Sequence, residues 1–102
     1  LDLARRTAAF AGSQHEIGPQ DVTVLDEYVG AGYSLPTEGM IEAVRLFARL
    51  EGVLLDPVYT GKAAAGLIDQ VRRGAFDERA NVVFLHTGGA AALYAYQRVL
   101  LG

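Results

Sequence analysis

Apolar residues along this chain fall into two patterns, stripes at helical spacing and short unbroken runs. Leu1, Ala4, Ala8 and Ala11 share one face of a predicted helix that Gly12 stops. From Glu38 to Leu50, the residues Ile41, Val44, Phe47 and Ala48 form a second stripe. Thr37 is placed to cap its first turn, and Gly52 to end it. A third helix is predicted from about Gly61 to Arg73, with Ala64, Leu67, Ile68 and Val71 inward. Arg72 and Arg73 suit the negative end of its dipole, and Gly74 stops it. The alanine-rich segment Gly89 to Leu101 reads as the last helix. Three segments read as strands: Val22 to Tyr28 by alternation, Val53-Leu54-Leu55 before the break at Asp56-Pro57, and Val82 to Leu85. Ser13 to Asp21, the glycine-rich Gly30 to Pro36 and Ala75 to Ala80 are connectors.

Helices alternating with strands indicate an α/β layer with parallel pairing. Runs that are apolar on both faces imply helices on both sides of the sheet. Two or three such strands cannot make a doubly covered sheet by themselves, so the chain is expected to be a piece of a larger domain or to dock onto one.

Composition narrows the functional classes. The chain has 102 residues, 51% hydrophobic and 21% charged, which is a folding composition and at most one domain. The net charge is −3, and its eight arginines and one lysine form no basic stripe, which argues against nucleic acid as a partner. There is no cysteine for a disulfide or a thiolate metal site, and the two histidines are far apart, so no metal is expected. No apolar run reaches the roughly 20 residues that span a bilayer. With no signal-like start at Leu1, a cytoplasmic protein without a membrane partner is the expectation.

Three segments carry polar residues beyond what packing needs. "YVGAGYSLPTEG" is either a surface loop whose glycines permit positive φ, or a frame that presents Tyr33 beside the next helix. "DPVYTGK" resembles a phosphate loop only superficially. Asp56 stands where its first glycine belongs, and Ala63 where a magnesium-binding hydroxyl belongs. Its structural reading is a helix start with Thr60 as cap and Tyr59 packed beneath. "HTGG", between a strand and a helix, leaves free amides that favour an anion or an electron-rich ring atom. Thr87 could equally cap the helix, and His86, in apolar surroundings, reads more readily as a hydrogen-bonded core histidine than as a base. Ser13 and Ser34 lack the context of a hydrolase nucleophile.

Taken in order, "YSLPTEGMIEAVRLFARLEGVLLDPVYTGKAAAGLIDQVRRG" and "VVFLHTGGAAALYAY" closely resemble the C-terminal part of the D-cysteine desulfhydrase and 1-aminocyclopropane-1-carboxylate (ACC) deaminase family. The family comprises pyridoxal 5'-phosphate enzymes of the tryptophan-synthase-β fold type, fold type II, and L-cysteate sulfo-lyases carry very similar segments. The resemblance covers about Val24 to Tyr96. It implies that residues 1–102 are the C-terminal part of a parallel-sheet, helix-covered cofactor-binding domain. Tyr33 matches a tyrosine lining the substrate pocket, and Tyr59 one at the substrate's reacting end. Thr87 matches the residue at the cofactor's pyridine nitrogen, with Gly88 letting the backbone approach the ring. The family's Schiff-base lysine and phosphate loop lie upstream. Lys62 matches the "TGK" helix-start lysine instead, so residues 1–102 alone are expected to be inactive.

ACC deaminases resemble this sequence but carry "VYEGK" and "HLGG", a glutamate and a leucine where this chain has Thr60 and Thr87. A carboxylate at the pyridine nitrogen keeps it protonated and the ring a strong electron sink, which suits opening a cyclopropane. A threonine hydroxyl permits a neutral nitrogen and a weaker sink, sufficient when a good β-leaving group departs. Thr60 and Thr87 therefore favour β-elimination of sulfide from D-cysteine, a small amino-acid substrate. L-Cysteate sulfo-lyase is the alternative, then ACC deaminase; a non-catalytic binding module that keeps the fold is the reading from another class. A homodimer is implied by the resemblance alone.

Overall fold

Caps and small residues decide where the helices of this chain start, stop and cross. In the computed structural model, which covers residues 1–102, α1 is Asp2–Phe10, α2 is Glu38–Glu51, α3 is Thr60–Arg72 and α4 is Gln97–Leu101. Short 3₁₀ segments lie at Pro19–Asp21 and Ala90–Tyr96. Thr37 Oγ1 accepts from the Met40 amide at 3.1 Å and opens α2, as its sequence position predicts. Gly52, at φ 65°, closes α2 in the left-handed conformation that glycine adopts without strain.

The core is the crossing of α2 on α3. Met40, Ala43 and Val44 of α2 are buried with Ala64 of α3, Leu55 and Leu100. Close approach needs small residues. A Cβ built on Gly61 would stand 2.6 Å from the Asp56 carbonyl oxygen, 2.9 Å from Val44 Cγ2 and 3.0 Å from Met40 Cγ. Arg45 Nε donates to the Leu100 carbonyl at 2.8 Å, tying α4 to α2. Helix α1 buries no residue; Arg5 Nε, donating to the Ile17 carbonyl at 2.9 Å, connects it to the following loop.

The expected strands are absent. Val53–Leu55 and Val82–Leu85 form no ladder, and Val22–Tyr28 is likewise irregular. The physical reason is pairing. A run of apolar residues becomes a strand only when a neighbour takes up its amides and carbonyls. Here Phe84 packs on α2 instead, its ring 5.8 Å from that of Phe47, and His86 Nε2 is 3.1 Å from the Leu54 carbonyl oxygen. The sheet faces expected to be covered by helices are open, with Val83 91% and Leu85 78% exposed. The radius of gyration, 15.6 Å, exceeds the about 13 Å of a compact domain this long, in keeping with that openness.

The last helix also differs from expectation. Ala90–Tyr96 winds as 3₁₀, and only Gln97–Leu101 is α-helical. Gly89 provides no side-chain cap, and only Leu93 and Tyr96 of the 3₁₀ stretch pack against the core, neither fully buried.

Candidate active site

Two turns and one loop carry the residues singled out in the sequence. The first turn, Asp56 to Thr60, is built around a buried carboxylate. Asp56 Oδ2 accepts from the amides of Val58 and Tyr59, and Oδ1 from the amide and hydroxyl of Thr60, all at 2.7 Å. Burial pushes the Asp56 carboxyl up, but the Thr60 hydroxyl and the amides of Thr60, Tyr59 and Val58 outweigh it and hold the group below its ordinary value. Asp56 thus occupies the place sequence reasoning gave to Thr60 as the cap of α3. The N-cap position itself is Tyr59, whose side chain makes no cap bond.

Thr60, for which the resemblance implied a place at the cofactor, is 3% exposed. Its hydroxyl donates to Asp56 Oδ1 and accepts from the Asp56 amide at 2.8 Å. That closes a two-way ring and leaves no hydroxyl proton for a ring nitrogen.

Tyr59 is not packed beneath the helix; it is 61% exposed and faces Tyr33, itself 72% exposed. Their hydroxyls share a hydrogen bond of 2.5 Å, with ring centroids 5.9 Å apart and planes tilted by 58°. The bond to Tyr33, then desolvation and the nearby Tyr33 and Asp56 charges, hold the Tyr59 phenol above its ordinary value. Its proton therefore stays in place at neutral pH. Both tyrosines line a cleft of about 580 Å³ whose walls include Leu25, Val29, Leu67 and Phe76.

The Tyr33 loop is pinned from two sides. The Lys62 ammonium, largely buried in α3, donates to the carbonyls of Val29 at 2.5 Å and Gly32 at 3.1 Å. The chain's only lysine is thus committed to its own backbone. Tyr96 donates its hydroxyl to the Ser34 carbonyl at 2.5 Å, where Ser34 takes a positive φ of 60°.

The second turn, His86 to Gly89, is exposed and left-handed at Gly88 (φ 96°) and Gly89 (φ 91°). The Gly88 amide donates to His86 Nδ1 at 3.1 Å, which assigns the His86 proton to Nε2, donating to the Leu54 carbonyl. His86 is hydrogen-bonded, as its sequence context suggested, but it lies at the surface. Thr87 is exposed on this turn, and the space beside Gly88 is open. An exposed hydroxyl next to backbone without a Cβ fits the edge of a planar ring, the group a pyridine nitrogen needs.

The structure brings Tyr33 and Tyr59 together in one cleft. It joins Thr87 and Gly88 to that pair indirectly, because Gly89 packs against Asp56, whose carboxylate holds the Tyr59 amide. Asp56, Gly89 and Tyr96 were not singled out from sequence. An aspartate four residues ahead of a helix-opening threonine is a readable capping signal; Tyr96 carries none, since its partner lies 62 residues away.

Comparisons with known proteins place the chain in a family. The family of pyridoxal-phosphate dependent enzymes matches residues 2–88, and the chain belongs to it. Its cofactor is pyridoxal phosphate. The chain is 48% identical over 97 residues to the 1-aminocyclopropane-1-carboxylate deaminase of Burkholderia multivorans, covering 95% of this chain and 29% of that protein. It is 50% identical over 88 residues to the D-cysteine desulfhydrase of Salmonella typhi, covering 86% and 27%. Among solved structures, the crystal structure of an ACC deaminase homologue superposes with a TM-score of 0.75 at 35% identity, over 98% of this chain and 29% of that one. The superposition supports the fold class that the helices alone leave open. The chain spans less than a third of the length of these relatives.

Proposed function

We propose that these residues form the C-terminal wall of a pyridoxal-phosphate dependent carbon–sulfur lyase that releases sulfide, ammonia and pyruvate from D-cysteine. The similarity to a D-cysteine desulfhydrase supports the reaction class, and the similarity to an ACC deaminase supports a small amino acid as substrate. Within this reading the chain is part of a parallel-sheet large domain, its extended segments completed by strands elsewhere in the protein. Within the same reading the full-length protein is a homodimer, by the family resemblance, and cytoplasmic, by its composition and charge. No helix of the chain is long and apolar enough to cross a membrane.

The observation that carries the reading is the hydroxyl pair of Tyr33 and Tyr59 at the mouth of an apolar cleft. Pyridoxal phosphate, when bound, supplies the electron sink that weakens bonds around an amino acid's α-carbon. Thr87 and Gly88 would hold the nitrogen edge of its ring, Thr87 through its hydroxyl. Tyr59 keeps its proton at neutral pH, so it serves as an acid. It can protonate a sulfur leaving the β-carbon, while Tyr33 orients the hydroxyl through their shared bond. Thr60 contributes through Asp56, which holds the backbone of Tyr59.

A substrate comparison tests the reading. Full-length protein with cofactor is given D-cysteine, L-cysteate and ACC in parallel, and sulfide, sulfite and the 2-oxoacid products are measured. Sulfide and pyruvate from D-cysteine, at a kcat/KM at least about tenfold above the other two, are expected. Preferential release of sulfite from L-cysteate, or of 2-oxobutyrate from ACC, would replace this reading with the corresponding relative's reaction.

A further inference from the structure

Asp56 is 2% exposed, and none of the chemistry above uses it directly. Its carboxylate takes four donors from Val58, Tyr59 and Thr60, and its carbonyl accepts from the Gly61 amide at 2.8 Å. Its other side carries the second turn. A Cβ built on Gly89 would stand 2.9 Å from Asp56 Cβ, 3.2 Å from Cγ and 3.4 Å from Oδ1. The Gly89 backbone therefore rests directly on the aspartate side chain, a seat open only to a residue without Cβ at φ 91°. One buried side chain touches both turns.

We infer that Asp56 is a positioning residue that sets the Tyr59 turn and the Thr87–Gly89 turn in register with each other. The inference rests on the proposal that Tyr59 faces the substrate and Thr87 the cofactor. A buried carboxylate suits the task because it saturates the donors of one turn in fixed directions and presents a rigid flank to the other. Asparagine in its place can accept at one oxygen position, but its NH₂ then faces the remaining amide donors.

The test uses full-length protein with cofactor and the variant Asp56→Asn. Hydrogen–deuterium exchange should quicken about tenfold or more in Val58–Gly61 and also in Gly88–Ala90, while the amides of α2 keep their protection. kcat on D-cysteine should fall about tenfold with KM within about twofold. The titratable groups that act on the Tyr59 phenol are Tyr33 and Asp56. Removing the Asp56 charge should also move the alkaline limb of kcat/KM to lower pH, while the exchange in Gly88–Ala90 is what separates the coupling from a mere helix cap. Faster exchange confined to Val58–Gly61, with Gly88–Ala90 unchanged, would overturn the coupling. If Asp56→Asn does not fold, Gly89→Ala approaches from the other side. It should quicken exchange in Val58–Gly61, and unchanged exchange there would equally refute the inference. Wild-type protein inert toward all three amino acids would sink the functional reading alone, since the exchange data decide the coupling without any substrate.

Discussion

Replacing Gly61 by alanine tests the packing that places both turns. The new methyl would meet the Asp56 carbonyl oxygen at 2.6 Å, Val44 Cγ2 at 2.9 Å and Met40 Cγ at 3.0 Å. The two side chains can shift by a few tenths of an ångström, but the carbonyl cannot move freely. It accepts from the Gly61 amide itself, and its residue anchors the turn through four further hydrogen bonds. Overpacking of this kind costs roughly 1–3 kcal/mol. Alanine returns up to about 1 kcal/mol through its better helix propensity. The net expectation for Gly61→Ala is a loss of about 1–2 kcal/mol. Gly39→Ala is the internal control. Its methyl would lie 3.4 Å from Ala65 Cβ, an ordinary contact, so propensity should dominate and stabilise by about 0.5–1 kcal/mol. Urea unfolding of the full-length protein with saturating cofactor, at constant m-value, measures both. A neutral or stabilising Gly61→Ala would show that α2 and α3 do not cross at the closeness described.

Lys62→Met removes both donors from the Val29 and Gly32 carbonyls, so the Tyr33 loop should loosen. KM for D-cysteine should rise and proteolysis between Val29 and Ser34 quicken; a loop as resistant as wild type would contradict the clamp. Thr87→Leu deletes a hydroxyl and leaves its ring partner unpaired at a cost of roughly 1–3 kcal/mol, read as about 5–150-fold weaker cofactor binding in a spectral titration. Unchanged affinity would remove Thr87 from the cofactor site. Acid should destabilise the fold. Asp56 is held below its unfolded value by Thr60 and the turn amides against the effect of burial, and Asp69 by the Tyr28 hydroxyl and then Arg73. Groups depressed in this sense stabilise fully above the unfolded value, about pH 4, and lose that contribution as pH falls through the folded one. The urea midpoint should drop from about pH 5 to pH 3, and a flat profile would refute the assignment.

What the sequence made legible was mostly local. The stripe of Ile41, Val44 and Phe47 with Thr37 and Gly52 as caps gave α2 to within a residue, because each signal acts inside one turn. The same holds for α3, ended before Gly74. Val53–Leu55 and Val82–Leu85 read as strands because they are apolar, yet strand formation depends on hydrogen-bonding neighbours that no run of residues specifies. The meeting of Tyr33 and Tyr59 across 26 positions could not be derived from spacing; the family pattern alone suggested a shared site. Thr60 read as the cap of α3, whereas the folded turn gives that role to Asp56, which takes the Thr60 proton. Tertiary partners, not propensity, decided the missing strands and the tyrosine pair.

The central claim is that the Tyr59 hydroxyl, held by Tyr33, handles a proton at the substrate. Tyr59→Phe in the full-length protein keeps the ring against Tyr33 and deletes one oxygen. Single-turnover and steady-state rates on D-cysteine, measured beside the cofactor's absorption spectrum, address it directly. The account predicts a rate lower by about 10²–10⁴-fold with cofactor binding and spectrum unchanged. A Tyr59→Phe enzyme that turns over at the wild-type rate would contradict it.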